Sequence, residues 1–525
     1  MKTMAKNDSE LEPPPWHTAE EKRDLAKWNS SEYAVPFLGL LFLRYAELKF
    51  LLAKKKRTQQ NSTRRPWGKK EYHSKGIVYL PSHVRFSQLL MLPETEPLGN
   101  TLEAMMEAVE SHNPDLKGAL PRNYSSIESA SLRSMLQTVS NLAIETRGER
   151  FGKIFEYFLS QLAPTAQHKG GSSTPNSLAK LIVEILEPNR GKIFDPCCGL
   201  GGMFISCADY LRARSGKPPS AISFYGQERV EETRLLARLN LAVHGLCGDI
   251  RPGNTYYDNP HNSLEKFDFV LANPPFNEDQ FDKEKVQGDP RLPFGKPRLD
   301  NANYLWIQLF YSSLNSQGRA GFVMANSAAE GRQSDGEIRN KLLQTNAVDV
   351  IIAIGPNFFY TGPLPCSLWF LDKAKAQTSR KDQVLFIDAR SIFQPRERTQ
   401  RQFSPKQIEF IANIVRLYRG EKPKFVASDE AEFPNQIPDF KQTFPKRKYT
   451  NVPRLCQVAT LKEIETQAGS LNPARYVTVA EKNKAEPNLT KRLRSLSEEL
   501  KVLNKQASKL EKQVAASIAK LLEKE

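Results

Sequence analysis

Between residues 177 and 370 short apolar runs alternate with longer stretches of helical spacing, and this alternation constrains the fold more than any other feature. The runs KIFD, SFYGQE, FDFVLANPP, AGFVMAN, VDVIIAI and CSLWFL read as strands, and QVLFID at 383–388 reads as one more short strand. Strands separated by helices lie too far apart in sequence for tight hairpins, so a parallel or mixed α/β sheet is expected. Residues 1–162 instead show helical spacing, with amphipathic segments at 20–28 and 33–52, which predicts an all-α domain. The expected organisation is therefore a helical domain at 1–162, a sheet domain at 163–395, and a helical or irregular extension at 396–484, followed by a separate helix at 485–525.

That last segment carries a heptad seam. Leu489, Leu493, Leu496, Leu500, Leu503, Ala507, Leu510 and Val514 follow one another at alternating spacings of four and three, and the seam reaches Leu521 through a polar Ser517. Such a stripe must be covered, either by the chain's own helical domain or by another subunit, and a docking role in a partner complex is the expectation.

The formal net charge of +16 provides a long-range field that attracts polyanions, nucleic acid foremost. Part of it is concentrated at 54–75, where nine Lys and Arg face the single acid Glu71. An exposed loop is expected there, serving either solubility or contact with phosphates. No apolar run approaches the ~20 residues that cross a bilayer, and the first fifteen residues are polar and proline-rich, so a cytoplasmic location is expected. Cys197, Cys198, Cys207, Cys247, Cys366 and Cys456 lack zinc-site spacing, so reduced thiols and no metal are expected.

The segment Asp195-Pro196-Cys197-Cys198-Gly199-Leu200-Gly201-Gly202 sets glycines between a strand and a helix. Glycines let a backbone approach a ligand closely, and the free amides of the following helix suit a carboxylate or phosphate. No Gly-Lys-Ser/Thr follows, so this is not the triphosphate loop. Asp195 at the strand's end would repel a pyrophosphate yet suit an ammonium group. S-adenosylmethionine carries both an ammonium and a carboxylate, which satisfies both features. Glu228 ends the next strand, about 30 positions on, where a ribose diol is held; it could equally be a carboxylate stabilising the next helix. Asp249 is the candidate for the cofactor's adenine, with Asn254 as the alternative.

The tetrapeptide Asn273-Pro274-Pro275-Phe276 stops a buried strand abruptly. Methylating an exocyclic amino group requires its protons to be engaged by acceptors, so that the nitrogen lone pair points at the methyl donor. The Asn273 side-chain oxygen and the Pro274 carbonyl can be those acceptors, Pro275 stiffens the turn, and Phe276 can stack on a flipped base. The sulfonium is a good leaving group, so orientation rather than a strong base carries the chemistry.

Taken in order, these residues resemble the N6-adenine DNA methyltransferases of type I restriction–modification systems, specifically the modification subunit. The resemblance extends over nearly the whole chain. It includes Ser31-Glu32-Tyr33, the LGLLFLRY stretch from Leu38 to Tyr45, Thr174-Pro175, Gly226-Gln227-Glu228, the NLAVHG stretch from Asn240, Asn303-Tyr304-Leu305-Trp306, Gly318-Arg319-Ala320-Gly321, Glu337-Ile338-Arg339 and LNPARYV from Leu471. Many such relatives carry an aromatic pair where this chain has Ser172-Ser173 and a small residue at Cys197.

The resemblance implies a Rossmann-like S-adenosylmethionine-dependent methyltransferase sheet with an all-α N-terminal domain and a C-terminal helical, coiled-coil tail. It implies that Lys169, Gly170, Gly171, Ser172, Ser173, Thr174 and Pro175 line the cofactor together with Gly199 to Gly202 and Glu228. The chemistry would lie at Asn273 to Phe276, with double-stranded DNA as substrate. The implied partners are a specificity subunit that chooses the sequence, a second copy of this chain and a motor-nuclease restriction subunit. The residues themselves leave open another amino-methyltransferase, acting on N4-cytosine, RNA or protein glutamine, or a catalytically silent DNA-binding assembly subunit.

Overall fold

The computed structural model describes residues 32–59, 67–142, 174–215, 221–278, 284–296, 301–331, 333–359, 363–395, 400–426 and 437–477, with isolated positions such as Trp28, Phe155, Leu159 and Glu498. Lys169 to Ser173, the middle of the basic segment and the heptad seam lie outside the described residues. The chain divides into one compact unit, Met1–Val477, and a second, Thr478–Glu525.

Helix α1, Ala34–Gln59, opens the described part of the helical region, followed by α2, Leu98–His112, and α3, Ser129–Asn141. The amphipathic reading of α1 needs correction. Phe37, Leu38, Leu40, Leu41, Phe42 and Leu43 are all buried, so this stretch is apolar all round and forms the centre of the region. Gly39 leaves room for the Tyr124 hydroxyl, which donates to the Pro36 carbonyl at 3.1 Å. The described ends of the basic segment are helical. Lys54 to Arg57 form the last turns of α1, where cations complement the helix dipole, and Arg57 and Lys75 both lie over the Trp67 ring.

The sheet follows. Its strands are β1 Gly191–Asp195, β2 Ile222–Glu228, β3 Gly248–Pro252, β4 Phe267–Ala272, β5 Leu314–Ala325, β6 Val348–Ile354, β7 Cys366–Asp372 and β8 Gln383–Asp388. A two-residue pair, β9 Gln394–Pro395 and β10 Arg401–Gln402, stands apart, and β11 Cys456–Thr460 returns to the main sheet. The nine-stranded order is β11-β8-β6-β7-β5-β4-β1-β2-β3. β1, β2, β3, β4 and β5 run parallel, β7 is inserted antiparallel between β5 and β6, and β11 caps β8 antiparallel. Every strand expected from the apolar runs forms. The fully buried β6 and β7 explain why their runs are continuous rather than alternating.

Helices α4 Asn176–Leu186, α5 Gly202–Ser215, α6 Glu231–Val243, α7 Asn303–Ser313, α8 Ser334–Gln344 and α9 Pro405–Tyr418 complete the scaffold. Residues of α4, α5 and α9 share one core with the sheet, whereas α7 and α8 share another.

The expected boundary at 395 is not a break in the fold. Arg416 of α9 bonds Glu184 and Glu187 at the end of α4, and Arg419 bonds Asp349 at 2.9 Å and the Ile185 carbonyl at 2.7 Å. Pairing of β11 with β8 then makes residues up to Val477 part of the sheet unit. No helix among the described residues is long and apolar enough to cross a membrane.

Candidate active site

β1 and β4 are parallel neighbours, yet the sheet continues from β1 to β2 on one side and from β4 to β5 on the other. This reversal opens a crevice outside the carboxyl ends of the two strands, the place where open α/β sheets bind ligands. Asp195 ends β1 and Ala272 ends β4, so the glycine loop and Asn273 leave the sheet on either side of that crevice.

The glycine loop is built by its own hydrogen bonds. The Cys198 N–H donates to the Gln227 carbonyl at 3.1 Å, and the Gly201 N–H to the Cys198 carbonyl at 2.8 Å. Gly199 and Gly201 take φ of +52° and +80°, which disfavours any side chain. No atom lies within 4 Å of where a Cβ would stand on Gly199 or Gly202, so the loop faces open space. The Leu200 side chain turns away and packs on the core of the helical region, leaving its backbone as the part that can meet a ligand.

Glu228 accepts from the Gly199 N–H at 3.1 Å and from the Val230 N–H at 2.9 Å. Its carboxylate is thereby fixed in orientation, and each oxygen keeps lone-pair capacity for a diol. The helix-stabilising alternative for Glu228 is partly met too, because Val230 is the N-cap of α6. Asp195 is 2% exposed and accepts from the Cys197 N–H at 3.1 Å. Burial, with the Glu228 charge adding to it, pushes its carboxyl up to about 7. A buried carboxylate short of positive partners suits an ammonium ligand, and together with the open glycine turn these residues fit S-adenosylmethionine.

Thr174 and Pro175 precede α4. Ile182 and Leu186, late in α4, pack on Gly321 early in the paired part of β5, so the helix runs against the strands and its first turn lies toward their carboxyl ends.

Asp249 does not join this group. It pairs in register with Tyr225 on β2, three residues before Glu228, so strand alternation sets it on the opposite face from Glu228. Its carboxylate is held by Arg251 at 2.7 and 3.0 Å. The Asn254 side chain is engaged as well, accepting from the Tyr256 N–H at 3.1 Å.

Across the crevice, Asn273 is half-buried with its Oδ1 shielded from solvent, and Pro274 is buried. Phe276 meets Phe359 edge-on at 5.7 Å between ring centres. Sequence reasoning missed the residue that sets this turn. Asn277 has φ of +52°, and its Oδ1 accepts from Asn301 at 3.2 Å, Asn303 at 3.0 Å and Ser327 at 2.9 Å. An asparagine directly after Pro-Pro-Phe, where the chain must reverse, was the available signal.

The loops are also tied to one another. Glu278 bonds Arg229 at 3.1 Å and accepts the Tyr256 hydroxyl, while the Thr255 hydroxyl donates to the Pro196 carbonyl. The buried Arg291 binds Asp289 and the carbonyls of Thr255, Tyr256 and Asp258. Side chains thus tie the segments after β1, β2, β3 and β4 to one another. Among the described residues no His, Cys, Asp and Glu cluster is arranged to hold a metal ion.

Known proteins match both parts of the chain. Residues 146–485 match the family described as N-6 DNA Methylase, and residues 16–139 match the HsdM N-terminal domain. The type I restriction enzyme MjaIX methylase subunit of Methanocaldococcus jannaschii is 32% identical over 95% of this chain and 89% of its own length. The HindI methylase subunit of Haemophilus influenzae is 29% identical over 80% of this chain and 92% of its own length. The crystal structure of a type I restriction–modification methyltransferase subunit from Streptococcus thermophilus shares the fold, with a TM-score of 0.66 at 19% identity, covering 87% of this chain and 97% of that one. The switch-point crevice, the mixed sheet and the helical region therefore occur together in a member of the N-6 DNA methylase family, akin to the methylase subunits of type I restriction enzymes.

Proposed function

We propose that this DNA methyltransferase moves a methyl group from S-adenosylmethionine to the N6 amino group of adenine in double-stranded DNA. The observation that carries the reading is the position of Asn273 to Phe276 beside the glycine loop, at one topological switch point. In this reading Asp195 binds the donor's ammonium group, the amides following Gly199 face its carboxylate, and Glu228 holds its ribose. Thr174 and Pro175, with the preceding Lys169 to Ser173, line the same ligand. The bound donor supplies an electrophilic methyl group on a sulfonium.

The chain's own residues then orient the acceptor. The Asn273 Oδ1 and the Pro274 carbonyl accept the two amino protons, which turns the nitrogen lone pair out of conjugation and toward the methyl carbon. Phe276, steadied by Phe359, stacks on the flipped base. Asn277 keeps the turn rigid, and the surplus proton leaves to solvent after transfer. Near-attack placement of this kind is worth several orders of magnitude in rate.

We further propose that a specificity subunit chooses the target sequence, that a second copy of the chain acts in the same complex, and that a motor-nuclease restriction subunit joins it for cleavage. The names of the relatives as methylase subunits support this division of labour. The test combines the chain with a type I specificity subunit and double-stranded DNA, and identifies the methylated nucleoside by mass spectrometry. N6-methyladenine, lost by at least about a hundredfold in Asn273→Ala, is expected. N4-methylcytosine would overturn the target, and an unimpaired Asn273→Ala would overturn the site.

A further inference from the structure

Helix α6 serves two cores. Leu236, Leu239 and Val243 lie in the core of the helical region, whereas Leu241 enters the core of the sheet. The helix is tied to the helical region at several points. The Tyr45 hydroxyl donates to the Val243 carbonyl at 3.1 Å, and Arg238 donates to the carbonyls of Lys117 at 2.7 Å and Asp115 at 2.8 Å.

Asn240 lies in the last turn of α6 and is 3% exposed. Asparagine is a poor choice for a buried helical position, since it lowers helix propensity and brings an amide that must be satisfied. Its Nδ2 donates to the Leu200 carbonyl at 2.9 Å. Leu200 is the residue between Gly199 and Gly201, which both need positive φ. One hydrogen bond to the carbonyl in the middle of that turn limits the freedom that the flanking glycines would otherwise give it. The Leu200 side chain is held separately, by the core of the helical region.

We infer that Asn240 is a positioning residue for the methyl-donor loop, and that the helical region is part of that loop's scaffold through α6 and the Leu200 side chain. The inference rests on the cofactor role proposed for the loop. Affinity for the donor then depends on contacts whose centre lies outside the sheet.

The test compares wild type with Asn240→Ala and Asn240→Leu, the latter refilling the space without the hydrogen bond. Two readouts are taken well below the melting temperature: amide hydrogen exchange at 199–202 in the ligand-free protein, and the calorimetric Kd for S-adenosylmethionine. In both variants, exchange at 199–202 should speed up, and Kd should rise, by about tenfold each, with exchange in β5, β6 and β7 unchanged. The kcat at saturating donor should stay within about threefold, since the target-base residues are untouched. Local exchange and Kd both within twofold of wild type would overturn the inference. So would an increase in exchange spread evenly through the sheet, which marks a purely structural role. If wild type itself fails to bind the donor, the proposed function falls, and the exchange comparison alone still decides the role of Asn240.

Discussion

Asp195 gives a prediction in which ligand binding and stability move in opposite directions. Its carboxyl is pushed up to about 7 by burial and the nearby Glu228 charge, and an ammonium ligand requires the ionised form. The apparent Kd for S-adenosylmethionine therefore grows with the protonated fraction as pH falls. Between pH 7.5 and pH 5.5 the loss is about 25-fold, or roughly 1.9 kcal/mol, if the bound carboxyl stays ionised across that range. Titration calorimetry in two buffers of different ionisation enthalpy should detect nearly one proton released per donor bound at the acid end. Asp195→Asn should bind weakly at every pH and lose the slope.

Stability has the other sign. The folded pKa lies above the unfolded value, so the group's contribution is present below about pH 4 and is lost as pH rises through about 7. Asp195→Asn should then raise the ligand-free melting temperature at pH 8, by an amount equivalent to at most about 4 kcal/mol. A wild-type affinity independent of pH, or an Asp195→Asn protein with the wild-type slope, would refute the assignment.

Other perturbations read the rest of the site. Asn277→Gly keeps the positive φ but removes the acceptor shared by Asn301, Asn303 and Ser327. It should lower kcat by about 10- to 100-fold with little change in donor Kd, checked by single-turnover kinetics. Asp249→Asn, on the face away from Glu228, should leave donor Kd within about threefold, whereas a direct adenine contact would cost more. Arg419→Met leaves Asp349, which is fully buried, with less positive charge around it. Burial pushes that carboxyl up, but Arg419, Arg380 and Lys375 together hold it below the usual range. Chemical denaturation should show a loss of about 3–5 kcal/mol.

The buried strands are legible because their apolar runs are long for their setting, and the candidate site residues stand out because they sit where those runs stop. β3 was missed, since Ile250 is its one fully buried residue and the others are glycine, proline and charged. That omission also hid which way Asp249 points. In a strand, residues two apart share a face, so Asp249 meets Arg251 and not the glycine loop. β11 was missed because an edge strand with a partly exposed pattern resembles the polar segments around it. The role of Asn277 depends on donors supplied from residues 301, 303 and 327, and no local pattern reports contacts of that separation. The burial of Leu200 against the helical region is hidden for the same reason.

The pairing of β11 with β8 has a consequence during synthesis. About 70 residues separate the end of β8 from the start of β11, and at 5–20 residues per second a ribosome needs roughly 4–14 s to make them. A chain that folds as it is made would hold β8 as the outer strand of the sheet for that interval, with one row of backbone N–H and carbonyl groups open to any extended chain. A fragment ending near residue 395 would keep every residue assigned to the crevice and make that exposure permanent. Its yield in soluble form should fall sharply, because the open edge of β8 can pair with other chains.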